Sequence, residues 1–255
     1  MPRSLPAGGR ALSRRKVLLT NDDGICAEGL RVLHERLLPV CDVYVLAPEE
    51  NRSAVSHCFS LNRPFRIRRT GEREFSCSGS PADCVVVATR SALFGVPFDA
   101  VVSGINRGAN LGTDIVYSGT AAAARQAALY GIPAIAVSLE SEDGDFNFSP
   151  LAGFVAKNLE ELIFLSSGEL FVSLNAYSSD NYSEAVFASL SERSYNDSVT
   201  VVDAPDGFMY GFISGGELVS RGEDFDAVRA GKISVSLIRA EPVAEKRGGL
   251  RGFVF

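Results

Sequence analysis

The stretch Lys16-Val17-Leu18-Leu19-Thr20-Asn21-Asp22-Asp23-Gly24 decides the fold. Its first half is short, apolar and almost unbroken, the pattern of a strand buried on both faces of a parallel sheet. Its second half turns abruptly polar. Three later runs repeat the apolar pattern, Val43–Ala47, Ala100–Ser103 and Ala134–Val137. Between and after them the apolar period lengthens to that of helices. Ala27–Leu38 puts Leu30, Leu33 and Leu37 on one face. A helix after Pro81 is read from Val85, Ala88 and Ala92. Thr120–Tyr130 is alanine-rich, and Pro150–Phe164 turns Phe154, Val155, Leu159 and Leu162 inward. Strand–helix alternation at these lengths implies right-handed βαβ units. The expectation is an α/β protein with a Rossmann-like three-layer core and a mostly parallel sheet over residues 15–168, strand order open. Residues 1–14 read as a flexible extension. Residues 169–255 read as C-terminal strands (Phe171–Leu174 and Ile233–Ile238), a short helix (Asp224–Gly231), accessory hairpins and an oligomerisation arm.

Composition narrows the function classes. The chain has 255 residues, 46% hydrophobic and 22% charged, enough for a sizeable core without a disulfide staple. A net charge of −6 argues against gripping a polyanionic backbone, while leaving room for a small phosphorylated substrate. Arg63, Arg66, Arg68 and Arg69 are interrupted by Phe65 and Ile67 and followed by Glu72 and Glu74. They read as a solvated hairpin edge, so nucleic acid is not an expected partner. Cys26, Cys41, Cys58, Cys77 and Cys84 form an odd set without a C-x-x-C pair, which suits a reducing compartment. With no apolar leader and no run long enough to span a bilayer, the expectation is a cytoplasmic protein without a membrane partner.

In open parallel sheets ligands sit beyond the carboxyl ends of the strands, so the residues after each apolar run matter most. The first run delivers Asn21-Asp22-Asp23-Gly24 and the second Ala47-Pro48 through Asn51-Arg52-Ser53. The third delivers Gly104-Ile105-Asn106-Arg107-Gly108 and continues to Gly112. Adjacent carboxylates repel unless a cation or proton intervenes, and hard divalent ions prefer oxygen ligands. A turn with a helix cap would use the same residues at 21–24; oxygen donors on two further strand ends favour a metal. The spacing of Gly104, Gly108 and Gly112 is neither a dinucleotide fingerprint nor a Walker A loop. Tyr117-Ser118-Gly119-Thr120 precedes the alanine-rich helix and reads equally as an N-cap or as an anion site at a helix N-terminus. His34 reads as structural, and His57 lies near enough in sequence to Ser53 to reach the site.

Together these segments, with Gly79-Ser80-Pro81-Ala82-Asp83-Cys84-Val85 and Asp114, resemble the SurE (survival protein E) family of nucleotidases. The resemblance covers about residues 16–137 in family order. Ser80 stands where the family usually has threonine, Ala54 where glycine is common, and Ser189–Tyr195 departs from the family's basic stretch. The resemblance implies that Asp22, Asp23, Ser53 and Asn106 hold one divalent ion, Mn²⁺ or Mg²⁺. It implies that Asn110, Ser118, Gly119 and Thr120 line a phosphate site. It also implies hydrolysis of nucleoside 5′-monophosphates, with 3′-monophosphates as further substrates, by a homodimer or homotetramer. Asp22 or Asp23 would then orient or deprotonate the attacking water. The competing expectation is a non-catalytic nucleotide-binding regulatory module on the same fold.

Overall fold

Alternation along the first strand sets the layering. In β1 (Lys16–Thr20) Val17 and Leu19 point to one face of the sheet and Leu18 to the other, all fully buried. The chain continues through α1 (Glu28–Leu37), β2 (Asp42–Pro48), β3 (Ile67–Arg69), β4 (Glu74–Cys77), α2 (Pro81–Arg90) and β5 (Ala100–Arg107). Next come a 3₁₀ turn (Gly112–Val116), α3 (Gly119–Leu129), β6 (Ala134–Glu140), α4 (Phe148–Lys157), α5 (Leu159–Leu165) and β7 (Leu170–Tyr177). The remainder is β8 (Ala185–Phe187), β9 (Glu192–Tyr195), β10 (Ser198–Asp203), β11 (Met209–Ser214), β12 (Glu217–Arg221), α6 (Glu223–Arg229) and β13 (Ile233–Arg239). This computed structural model describes residues 14–166 and 168–244. Most of the expected N-terminal extension, and the tail from residue 245, lie outside the described residues.

Nine strands form the main sheet in the order β3-β4-β2-β1-β5-β6-β7-β13-β8. The pairs from β4 to β7 are parallel; β3 and β13 run antiparallel to β4 and β7. Leu30, Leu33 and Leu37 of α1 cover one face with Leu151, Val155, Leu159 and Leu162 of α4 and α5. Val85 and Ala88 of α2 and the alanines of α3 cover the other. The N-cap of α1, Ala27, makes no side-chain cap bond, so burial holds that helix, each leucine contributing about 1.5–3 kcal/mol. The order reverses at β1, with β2 on one side and β5 on the other. That is the switch point at which doubly wound sheets open a crevice.

Two local expectations change. The single helix over Pro150–Phe164 is two, α4 and α5, broken at Asn158. The Asn158 amide Nδ2 donates to the Phe154 carbonyl at 2.8 Å, the side-chain competition that disfavours asparagine inside helices. Ala92 lies beyond α2, because Ser91 leaves helical geometry and its hydroxyl donates to the Val87 carbonyl. The arginine stretch lies at a sheet edge, where β3 pairs with β4 in an antiparallel hairpin.

β5 carries an irregularity that aims its end. Its register against β6 shifts between Ser103 and Asn106, around a cis Gly104–Ile105 peptide. Gly104 has φ +137°, and a Cβ there would lie 2.3 Å from the Val137 carbonyl oxygen. Gly104→Ala should therefore destabilise the fold by about 2–4 kcal/mol through strain and overpacking. In urea titrations the midpoint should fall; an unchanged midpoint would show that the chain passes this point without glycine.

Candidate metal and phosphate site

Two neighbouring aspartates at the end of β1 organise the rim. The turn itself is braced by Asn21, whose amide donates to the Gly24 carbonyl (2.9 Å) and whose Oδ1 accepts from the Gly24 N–H (3.2 Å). Asp22 is 3% exposed. Its Oδ1 accepts from the Thr120 hydroxyl at 2.5 Å and its Oδ2 from the Thr120 N–H at 3.1 Å. One carboxylate thus fastens the end of β1 to the first turn of α3, where the helix dipole favours negative charge. The approach is so close that a Cβ on Gly119 would sit 2.9 Å from Asp22 Oδ2. Asp23 is half-buried and accepts from the Arg107 N–H at 2.9 Å. Burial, reinforced by the neighbouring Asp23 charge and opposed by Thr120, pushes Asp22 from its ordinary 3.8 to about 6. Burial raises Asp23 as well, against the Arg107 N–H.

The other expected donors reach this rim through the backbone. The Arg52 N–H donates to the Asp22 carbonyl at 2.7 Å and the Ile25 N–H to the Pro48 carbonyl at 2.7 Å. The loop after β2, with exposed Ser53, is thereby laid against the Asp22–Asp23 turn. Ser53 itself donates its N–H to Asn51 Oδ1. Asn106 precedes the residue bonded to Asp23 and donates Nδ2 to the Gly108 carbonyl at 2.7 Å, which leaves Oδ1 as its acceptor for a ligand.

At the start of α3, where a phosphate seat is expected, the Ser118 hydroxyl oxygen caps the helix by accepting from the Ala121 N–H at 3.0 Å. With the Thr120 N–H on Asp22, the Gly119 N–H is the first-turn donor these contacts leave. Asn110 is buried, donating Nδ2 to the Ser138 hydroxyl and its backbone N–H to Asn175 Oδ1, both at 2.7 Å. His57 turns elsewhere: Nε2 meets Gln126 Oε1 at 2.8 Å, and burial lowers its pKa.

Several braces were not read from the sequence. Asp83 of the Gly79–Val85 motif caps α2 reciprocally with Ser80 and accepts from both the N–H and hydroxyl of Ser60. This closes the loop after β2 onto α2. Asn175 is, with Ser173, a buried polar residue in a mainly apolar strand, a signal that could have marked it. Asp224, fully buried, accepts from the Gly112 N–H and the Ser191 N–H, both at 2.8 Å. It ties the C-terminal segment to the loop carrying Asn110. Arg193 and Tyr195 add an ion pair and a hydrogen bond to Asp114.

Two carboxylates at the switch point of a mostly parallel sheet, one of them fastened to a helix N-terminus, define a doubly wound α/β protein. The chain belongs to the SurE family: the family model described as Survival protein SurE matches residues 17–197. It is 48% identical over 180 residues to a protein of Treponema pallidum named 5′-nucleotidase SurE, covering 68% of this chain and 96% of that one. A Geobacter sulfurreducens protein of the same name is 42% identical over 229 residues, covering 86% of each. The crystal structure of SurE protein from Aquifex aeolicus superposes with a TM-score of 0.77 at 29% identity, covering 89% and 94% of the two chains.

Because the folded-state pKa of Asp22 lies above its unfolded value, the protonated carboxyl favours the fold. That contribution is complete below pH 3.8 and lost as pH rises through about 6. In chelator-treated protein, wild type should lose on the order of 2 kcal/mol relative to Asp22→Asn between about pH 4 and pH 7. Parallel pH profiles in denaturant titrations would show that another group already balances the charge.

Proposed function

We propose that the chain is a metal-dependent 5′-nucleotidase, hydrolysing nucleoside monophosphates to nucleoside and phosphate. The observation that carries this reading is the pair Asp22–Asp23. Two carboxylates sit at the sheet's switch point, one of them buried and held by N–H and O–H donors rather than by a basic side chain. The donor chemistry fits a hard divalent ion, Mg²⁺ or Mn²⁺. Asp22, Asp23, Ser53 and Asn106 supply oxygens only. Among the described residues, no group of three or more His, Cys, Asp or Glu side chains is placed to hold a metal, so the set adds neutral donors to two carboxylates. When bound, the ion supplies charge against the phosphoryl oxygens and makes a water molecule a better nucleophile.

The protein's own groups do the positioning. The Gly119 N–H and the N-terminus of α3 receive the phosphoryl oxygens, with Ser118, Thr120 and Asn110 shaping the seat. Thr120 holds Asp22 in one orientation, and the Arg107 N–H does the same for Asp23. Of the two, Asp22 is our choice to orient or deprotonate the attacking water.

In our reading the C-terminal arm assembles the protein into a homodimer or homotetramer. Every residue of β10 and β11 is exposed, including Phe212 and Ile213, and an isolated hairpin is at best marginally stable in water. Among the described residues, no helix is long and apolar enough to cross a membrane. The five free cysteines suit the cytoplasmic assignment we make, since reducing compartments keep thiols unpaired.

Phosphate release from a panel of nucleoside monophosphates should require Mn²⁺ or Mg²⁺ and stop with chelator. Asp22→Asn and Asp23→Asn should each lower kcat by about 100-fold or more. Release that survives chelation would sink the metal assignment, and nucleotide binding without release would make the chain a binding module. Light scattering should give a dimer or larger, reduced to monomer by Phe212→Glu with Ile213→Lys; a monomeric wild type would remove the arm's role.

A further inference from the structure

A groove of about 1250 Å³ opens beside Asp23 and Asn51 and runs across Arg107 to the loop between β6 and α4. Its size exceeds what a phosphate needs and suits a nucleoside with attendant water. Two features of its wall bear on what enters. The first is a column of flat groups: Phe146 stacks on Phe148 at 5.6 Å between centroids with 13° between planes. The Arg107 guanidinium lies 4.7 Å from the Phe146 centroid and donates to the Gly144 carbonyl. Arg107 is also the residue whose N–H holds Asp23, so the column stands next to the proposed reaction centre by covalent connection.

The second feature is charge. Glu142, Asp143, Asp145 and Asp180 line the same groove, all exposed. Asp143 is fixed by accepting from the Asp145 N–H (3.0 Å) and the Ser141 hydroxyl (2.8 Å), and Asn147 donates to Asp180 at 3.0 Å. Whatever lies on the leaving side of the scissile P–O bond enters this field. A nucleoside is uncharged, offers hydroxyl donors to carboxylates and a flat base to the column. A polyphosphate or nucleoside triphosphate, with its terminal phosphoryl group at the reaction centre, would push its remaining phosphates against the carboxylates.

Resting on the phosphatase reading above, we infer that this groove seats the leaving nucleoside, with its base on the Phe146–Arg107 column. Its carboxylates restrict the enzyme to substrates with one phosphoryl group.

The test compares kcat/KM for adenosine 5′-monophosphate, ribose 5-phosphate and inorganic tripolyphosphate at saturating metal, with adenosine binding measured by calorimetry. Wild type should prefer adenosine monophosphate over both. Phe146→Leu keeps apolar packing on Phe148 and removes the ring. It should lower the ratio of adenosine monophosphate to ribose 5-phosphate about tenfold, through KM, and weaken adenosine binding to match. Glu142→Gln/Asp143→Asn/Asp145→Asn should raise the ratio of tripolyphosphate to adenosine monophosphate about fivefold, an effect that shrinks near 0.5 M salt. Tripolyphosphate as the best wild-type substrate, or ratios unmoved by either variant, would overturn the inference while leaving the phosphatase reading standing. Absence of phosphate release from all three would defeat that reading instead. In that case adenosine binding equally tight in wild type and Phe146→Leu, or absent from both, overturns the groove assignment independently.

Discussion

A single carboxylate joins the end of the central strand to the start of the helix that follows the third strand end. Asp22 accepts both the N–H and the O–H of Thr120, and its own carbonyl accepts from Arg52. Its neighbour Asp23 accepts from the Arg107 N–H. Three loops leaving three adjacent parallel strands are therefore spaced by hydrogen bonds to two consecutive residues. Burying a carboxylate without a basic partner is costly unless donors surround it; burial raises the pKa of Asp22 and the Thr120 hydrogen bonds oppose that rise. Much of the local sequence follows from this. Gly119 is glycine because Asp22 leaves no room for a Cβ, and Asn21 holds the turn that presents both carboxylates.

What the sequence discloses of this arrangement depends on how local each feature is. The strands β1, β2, β5 and β6 are legible because strands buried on both faces are written as continuous apolar runs. The polar turns at 21–24, 48–53 and 104–108 are legible because each follows such a run. The helix break at Asn158 is not, since leucines on either side keep the helical period and only one side-chain bond marks the boundary. Strand order is not legible either, being decided by packing between distant segments. The braces behind the site are the least visible. Asn175 and Asn110 are 65 residues apart, and Asp224 and Gly112 are 112 apart, so no local pattern connects them.

The proposed nucleoside side follows different physics from the proposed phosphate side. Near Asp22 the groups are buried, hydrogen-bonded and close enough that single atoms matter. Along the groove the carboxylates are exposed and act through a field that salt screens within about 10 Å. On the proposed reading, geometry governs the reacting bond and electrostatics governs what may be attached to it.

The buried tie from Asp224 to Gly112 bears on how this catalytic unit could be shortened or transplanted. Residues 16–140 contain every proposed ligand and every residue of the proposed phosphate seat. Yet the loop from Asn106 to Gly112 is held from behind by Asn175 and Asp224, which belong to the later part of the chain. A fragment ending after β6 would keep the full list of donors and lose what holds them at their separations. The minimal unit is set by the reach of those braces, not by where the functional residues stop.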